Sequence, residues 1–199
     1  LLGNMQTNGY VVSDENHHCL IIDPGANGKK VVHYLTENEL VPEAVLLTHG
    51  HFDHIGAVDY LYEHYHCPIY LHQDDLEMLD NPQLNLSVYE NPFTVKAPVQ
   101  SSHEEMKFGD FDVQWLHLPG HCPGSSMIYL KDENIIFSGD VLFKGSIGRF
   151  DFPNSSKYET IESINKIKEY DFDAVIYPGH GPNSTLSEER LNNPYLKKS

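Results

Sequence analysis

The sequence predicts a layered α/β domain, and three observations point there. Short apolar runs that read as strands alternate with segments whose apolar residues recur at helical spacing, giving β, α, β, α order rather than the strand-after-strand pattern of a barrel. Several of those runs end in glycine-bearing turns that carry histidine or aspartate, the place where α/β folds put chemistry. A length of 199 residues with 40% hydrophobic content fits one domain, residues 1–199, with a sizeable core.

Composition excludes whole classes of partner. The formal net charge is −16, from 13 Lys plus Arg against 29 Asp plus Glu, which disfavours nucleic-acid phosphates and anionic membrane surfaces. No apolar run approaches the ~18 residues of a membrane span, and no basic start leads into an apolar stretch. Cys19, Cys67 and Cys122 are far apart and lack a C-x-x-C spacing, so a disulfide framework is not expected and a reducing, cytoplasmic setting is. The chain begins at Leu1 rather than Met, which leaves room for an amino-terminal strand ahead of it. Oligomeric state leaves no trace in the pattern.

In chain order, residues 8–13 and 19–23 read as a β-hairpin closed by Asp14-Glu15-Asn16, with His17 and His18 solvated at its polar end. Asp23 ends the second strand, placed either to orient a ligand or to cap the turn at Pro24-Gly25. A helix over residues 28–40 follows, then the buried run Ala44-Val45-Leu46-Leu47, then one helix through Ile55, Val58, Leu61 and Tyr65. Residues 68–72 suggest a strand and 74–79 a short helix. From 80 to 100 the periodicity dissolves among Asn and Pro, as in a loop that either walls a substrate mouth or merely crosses the surface. Residues 111–118 alternate as a strand, 125–131 and 134–138 form a second hairpin, 158–167 an amphipathic helix capped by Ser155 or Ser156, 174–177 the last strand, and 187–193 the closing helix.

The turns between these elements hold the chemistry. Thr48-His49-Gly50-His51-Phe52-Asp53-His54 places four ligand-type side chains between a strand and a helix; His121 and His180 each sit between glycines and prolines, and Asp140 follows Gly139 at a strand end. Imidazoles and carboxylates without thiolates suit divalent Zn, Fe or Mn. Seven such residues exceed the three protein ligands typical of one catalytic zinc and fit two metals bridged by a carboxylate and a hydroxide. A structural zinc closed by thiolates does not fit, which argues against a metal that merely holds the fold. Lys144 and Arg149 are cations near Asp140 and are placed to clamp a substrate carboxylate, although solubility is the plainer reading of Lys144. Cys122 reads as a structural thiol, His117 as packed or supporting, and His72 and His103 have no partner visible in sequence.

The strings His-x-His-x-Asp-His at 49–54, Gly-His-x-Pro-Gly-Ser at 120–125, Ser-Gly-Asp-Val-Leu-Phe at 138–143 and Pro-Gly-His-Gly-Pro at 178–182 resemble metallo-β-lactamase-fold hydrolases, nearest to the short, single-domain glyoxalase II-like proteins. The resemblance spans nearly the whole chain and implies a four-layer αββα sandwich with a dinuclear site along one edge. It implies that His49, His51 and His121 bind a first metal, that Asp53, His54 and His180 bind a second, and that Asp140 bridges. Zinc is the metal expected, with iron or manganese as alternatives.

Asp140 stands where the true β-lactamases often carry cysteine, which leans away from antibiotic hydrolysis. Larger glyoxalase II enzymes add a helical domain that grips glutathione, and this chain is not expected to hold one. The substrate implied is a small-molecule thioester, hydroxyacylglutathione or a similar lactoyl-thiol. A bridging hydroxide would attack the carbonyl while Asp53 orients it and accepts its proton. Short members often read Gly-Arg-Thr-Asp and then a Pro-Gly-Gly-like turn, whereas Gly148-Arg149-Phe150-Asp151 continues into Phe152-Pro153-Asn154-Ser155. Arg149 remains the expected carboxylate contact, and Phe150 is expected to reshape the pocket. A mononuclear-iron persulfide dioxygenase and a lactone hydrolase of the same fold stay open at this stage.

Overall fold

A computed structural model of the chain describes residues 1–197. β1 (Tyr10–Ser13) and β2 (His18–Ile22) form the expected antiparallel hairpin, its turn tied by the Asp14 carboxylate accepting the Asn16 and His18 N–H groups. His17 is exposed, but His18 lies half-buried against the Glu43 carboxylate rather than free in solvent. α1 (Gly28–Glu37) packs Val31 and Leu35 inward and stops short of Leu40. β3 (Val41–Leu46) runs parallel to β2.

The single helix expected after the ligand turn is two: α2 (Phe52–Ile55) and α3 (Val58–Tyr65). The Ala57 N–H donates to Pro24 O at 2.9 Å, so the turn after β2 takes a donor that a continuous helix would use internally. β4 (Ile69–Leu71) and β5 (Val99–Ser101) extend the parallel arrangement, and α4 (Leu76–Asp80) follows a 3₁₀ turn at Gln73–Asp75. The resulting five-stranded sheet has the order β1-β2-β3-β4-β5.

The 80–100 segment is anchored. Asn85 and Ser87 are fully buried, Asn85 O accepts the Phe52 N–H at 2.8 Å, and Phe93 and Val95 pack into the core. Its Glu90, Asn91 and Phe93 line a cleft of about 170 Å³ together with Phe52 and Asp53.

β6 (Glu105–Phe108) has no counterpart in the sequence pattern; β7 (Phe111–His117), β8 (Ser126–Leu130) and β9 (Ile135–Gly139) do. The short pair β10 (Leu142–Phe143) and β11 (Ser146–Ile147) precedes α5 (Lys157–Glu169), capped by the Ser156 hydroxyl accepting the Glu159 N–H. β12 (Val175–Pro178) is not the last strand, because β13 (Ser184–Thr185) pairs with it before α6 (Leu186–Asn192). The second sheet has the order β13-β12-β9-β8-β7-β6.

Alternation along the strands makes four layers. Leu20, Ile22, Ala44 and Leu46 meet Val113, Trp115, Ile128 and Phe137 between the sheets. Cys19, Ile21, Val45 and Leu47 face the helical layer that holds Leu35 and Leu61, while Met127, Tyr129 and Ile136 face Ile164 and Ile167. Strands buried on both faces read as continuous apolar runs, as residues 44–47 do. The architecture is the αββα sandwich. Among the described residues no helix is long and apolar enough to cross a membrane.

Asp75, at the end of the 3₁₀ turn, is fully buried and joins two loops that the sheets alone would leave unlinked. Its carboxylate accepts the Gly50 N–H at 3.1 Å and the Gly124 N–H at 2.6 Å. A Cβ on Gly124 would lie 2.7 Å from the Asp75 carboxyl carbon, so only glycine permits this approach. Burial pushes the Asp75 carboxyl up to about 7, against the pull of its two backbone donors. Its folded pKa stands above the unfolded value of about 3.9. Its stabilising contribution is therefore full below that value and is lost as pH rises through about 7. Urea denaturation of metal-free Asp75→Ala should show a loss of roughly 2–4 kcal/mol in mildly acidic buffer, the cost of two orphaned N–H groups, shrinking toward pH 8. A loss that grows with pH would contradict this account.

Candidate metal centre

The seven side chains singled out in the sequence converge at one edge of the sandwich. Each follows the carboxyl end of a strand: His49, His51, Asp53 and His54 after β3, His121 after β7, Asp140 after β9 and His180 after β12. His54 Nε2 lies 3.5 Å from Asp53 Oδ2 and 3.4 Å from Asp140 Oδ1. His180 Nε2 is 3.2 Å from Asp53 Oδ2 and 3.6 Å from Asp140 Oδ2. His121 Nε2 is 3.6 Å from Asp140 Oδ2 and 3.0 Å from His51 Nδ1. Three overlapping donor sets result, His49–His51–His121 with Cys122, His49–His54–Asp140, and Asp53–His54–His180.

Hydrogen bonds behind the rings aim them. His54 Nδ1 donates to Asp23 Oδ2 at 2.9 Å. Thr48 Oγ1 donates to the same oxygen at 2.7 Å and so accepts from His49 Nδ1 at 3.1 Å. The Thr48 N–H donates to Asp23 Oδ1 at 2.8 Å, which gives Asp23 the orienting role of the two the sequence left open. His121 Nδ1 donates to Arg149 O at 2.7 Å. Glycine is obligatory at 179, where a Cβ would stand 2.4 Å from Asp140 Oδ1 and 2.7 Å from His54 Cε1.

With their Nδ1 atoms committed, His49 Nε2 is buried without a hydrogen bond, and His54 Nε2 and Asp140 Oδ1 face each other at 3.4 Å without making one. Buried polar atoms of this kind are normally satisfied. Imidazole nitrogens and carboxylate oxygens converging on one space fit divalent metal. The donor chemistry and the orphaned atoms agree.

The centre is electrostatically divided. Burial, reinforced by the neighbouring imidazoles, holds His49 well below its usual range and pushes His51 down to about 3. Burial also lowers His121, with Asp140 and the Arg149 carbonyl offsetting it only in part. These three rings are neutral and offer lone pairs. Burial opposes charge on His54 as well, yet Asp53, Asp23 and Asp140 outweigh it and raise that imidazole well above its usual value. His180 is raised likewise, its burial outweighed by the hydrogen bond to Asp53 and by Asp140. Asp53 and Asp140 are both held low, the cost of burial exceeded by His54 and its neighbours.

Other sequence expectations fare differently. Arg149 is exposed, and its guanidinium forks onto the Asp151 carboxylate at 2.9 Å for both nitrogens, a solvent-screened surface pair. Lys144 pairs with Glu188 at 3.2 Å on the surface, away from the role of a clamp. Phe152, not Phe150, stands edge-on to the His51 and His121 rings, with centroids 5.2 and 5.7 Å away, and carries the Arg149 guanidinium 4.5 Å from its ring centre. Cys122 is buried as expected and also backs the His51 ring, Sγ to Nε2 at 3.3 Å. Thr7 has no signal in the sequence, yet its hydroxyl donates to Asp53 Oδ2 at 2.7 Å across 46 residues of chain.

Because His54 and His180 hold protons more tightly than free imidazoles, protons compete with metal on their side of the centre. If a cation occupies each donor set, dialysis of loaded protein from about pH 7 to about pH 5 should empty Asp53–His54–His180 before His49–His51–His121. Metal counted per chain would then fall in two steps, and one simultaneous loss would contradict the division.

The model of the metallo-beta-lactamase superfamily matches residues 2–180. The chain is 40% identical to a probable metallo-hydrolase, YqgX, of Bacillus subtilis, over 98% of this chain and 94% of the relative. It is 32% identical to the hydroxyacylglutathione hydrolase GloC of Haemophilus influenzae, over 96% and 93%. Two solved structures superpose closely. One is described as the BLEG-1 B3 metallo-beta-lactamase, with TM-score 0.93, 38% identity and 99% and 97% coverage. The other is TTHA1623 in a di-iron-bound form, with TM-score 0.88, 38% identity and 98% coverage of each chain. Motifs, sandwich and His/Asp centre lead to one family, and the chain belongs to the metallo-beta-lactamase superfamily as a metallo-hydrolase.

Proposed function

We propose that the chain hydrolyses a small-molecule thioester of the hydroxyacyl-thiol kind at a dinuclear centre. In this reading His49, His51 and His121 hold one metal, Asp53, His54 and His180 hold the other, and Asp140 serves both. When bound, such a pair supplies Lewis acidity and lowers the pKa of water toward about 7. Zinc suits the donors, and the di-iron form of TTHA1623 keeps iron as the alternative.

The observation that carries the thioester reading is the 32% identity to GloC over 96% of this chain. Asp53 suits that reading. Its carboxylate accepts from Thr7 and lies against His54 and His180, and its pKa is held below the usual range. A carboxyl held low is rarely protonated near pH 7, so it seldom has a proton to give a departing group. Lys144 and Arg149, the cations near Asp140 in the chain, each pair with a carboxylate at the surface. A thiol with pKa of about 8.5 leaves as its anion without protonation, whereas an alkoxide or an amide nitrogen needs a proton. GloC, by its name a hydroxyacylglutathione hydrolase, supports the same class. Phe152 supplies an apolar wall beside the His51 and His121 rings for the acyl portion.

The direct test is a substrate panel on metal-counted protein: acyl thioesters of glutathione and of other cellular thiols, the matched oxygen ester and lactone, a β-lactam because of the BLEG-1 likeness, and a persulfide with oxygen uptake recorded. Thioester kcat/KM should exceed that of the matched ester and the β-lactam by at least about 100-fold, the scale of an unneeded proton transfer, and should vanish on chelation. Equal rates, or oxygen uptake alone, would sink the reading. Asp140→Ala should lose metal and turnover together, whereas Thr7→Val should retain both metals and lower kcat about tenfold. Full activity of Asp140→Ala with two metals retained would refute its shared role.

A further inference from the structure

Outside this centre, the described residues bring together one more set of metal-ligand side chains. His72, just beyond β4, and His117, the last residue of β7, stack with ring centroids 3.8 Å apart and planes 15° from parallel. Asp74 Oδ2 lies 3.6 Å from His72 Nδ1 and 3.9 Å from His117 Nε2, and the three donors lie within 4.8 Å of one another. Donors on a tetrahedral zinc, with bonds of about 2.0–2.2 Å, stand roughly 3.4 Å apart. Two of the separations already approach that value.

We propose that His72, Asp74 and His117 form a second, independent site for one borderline divalent cation, zinc above all. The set joins the two sheets, since His72 follows a strand of the first and His117 ends a strand of the second. Its imidazoles are partly covered, 16% and 36% exposed, while Asp74 is 46% exposed and gives a cation its entry. Two nitrogens and one oxygen suit zinc, nickel or copper(II) better than calcium or magnesium. A chain of net charge −16 concentrates cations at its surface.

Room for the remaining ligands exists beside the set. His72 and His117 line a cleft of about 400 Å³ shared with His103 and Glu104. Its wall includes Ser102 and Trp115, whose Oγ and Nε1 are buried without a hydrogen-bond partner. Water or a small anion on the cation can meet such groups.

Binding rearranges the neighbours in a recognisable way. His72 Nδ1 accepts the Asp74 N–H at 3.3 Å, and His117 Nε2 donates to Pro123 O at 2.8 Å. Both nitrogens turn from these partners to the cation, and His117 moves its proton to Nδ1. A cation lies in the plane of each imidazole that binds it, so the parallel stack opens. Pro123 stands two residues after His121, so occupancy reaches the turn that carries a residue of the first centre.

The experiment starts from protein whose first centre is loaded and counted. Zn²⁺ is titrated against a chromophoric chelator while the histidine ring signals are followed by NMR. One further equivalent should bind, and the His72 and His117 signals should move together as stacking is lost. The paired variant His72→Gln, His117→Gln should bind one equivalent fewer with the first centre's metal count intact. Asp74→Asn, a surface change that leaves the packing alone, should weaken the extra equivalent about tenfold or more. Equal zinc uptake by the protein and the paired variant, or ring signals unmoved by excess Zn²⁺, overturns the site. Neither readout depends on which substrate the first centre takes.

Discussion

Asp23 is the buried carboxylate on which the rest of the centre depends. It is 2% exposed, with a backbone in the left-handed region at φ 47°, and it accepts the Thr48 N–H, the Thr48 hydroxyl and His54 Nδ1. An ionised carboxylate so deep would cost several kcal/mol without such donors. With them it fixes the tautomer and direction of His54, and through Thr48 those of His49. The two rings it aims belong to both halves of the donor constellation. The carboxylate at the end of β2 therefore decides where the turn after β3 points two of its ring nitrogens.

Much of this was legible in the chain because the information is local. Each ligand-bearing turn directly follows an apolar run, so strand end and chemistry are read within a few residues of each other. The short edge strands were not legible: β13 is Ser184–Thr185 and β6 begins with Glu105, and neither has an apolar run to announce it. The break between α2 and α3 depends on the Pro24 carbonyl, which no local periodicity reports. Thr7, Asp75 and the His72–His117 stack were hidden for the same reason, since partners 25 to 49 residues apart meet only when two elements dock. Phe150 and Phe152 share a face of any extended segment, so sequence alone had no means to say which ring reaches His51.

The rim follows different physics from the floor. The floor consists of turns whose glycines are forced by contact, as at Gly124 and Gly179. The rim, with Phe152 edge-on to the His51 ring, Arg149 paired with Asp151, and Met5 beside Asp53, consists of loop side chains free to vary without disturbing the donors. Motifs at the floor therefore identify the superfamily far more sharply than they identify what enters the site.

The donors come from both sheets. His49, His51, Asp53 and His54 extend from the first, while His121, Asp140 and His180 extend from the second. A cation held between them would act as a rivet across the seam of the sandwich. Ligation would then report on docking of the two halves as well as on chemistry at the centre. Thermal stability of such a molecule is a function of free metal concentration, so a melting curve recorded in chelating buffer describes a different mechanical object from the one at work in the cell.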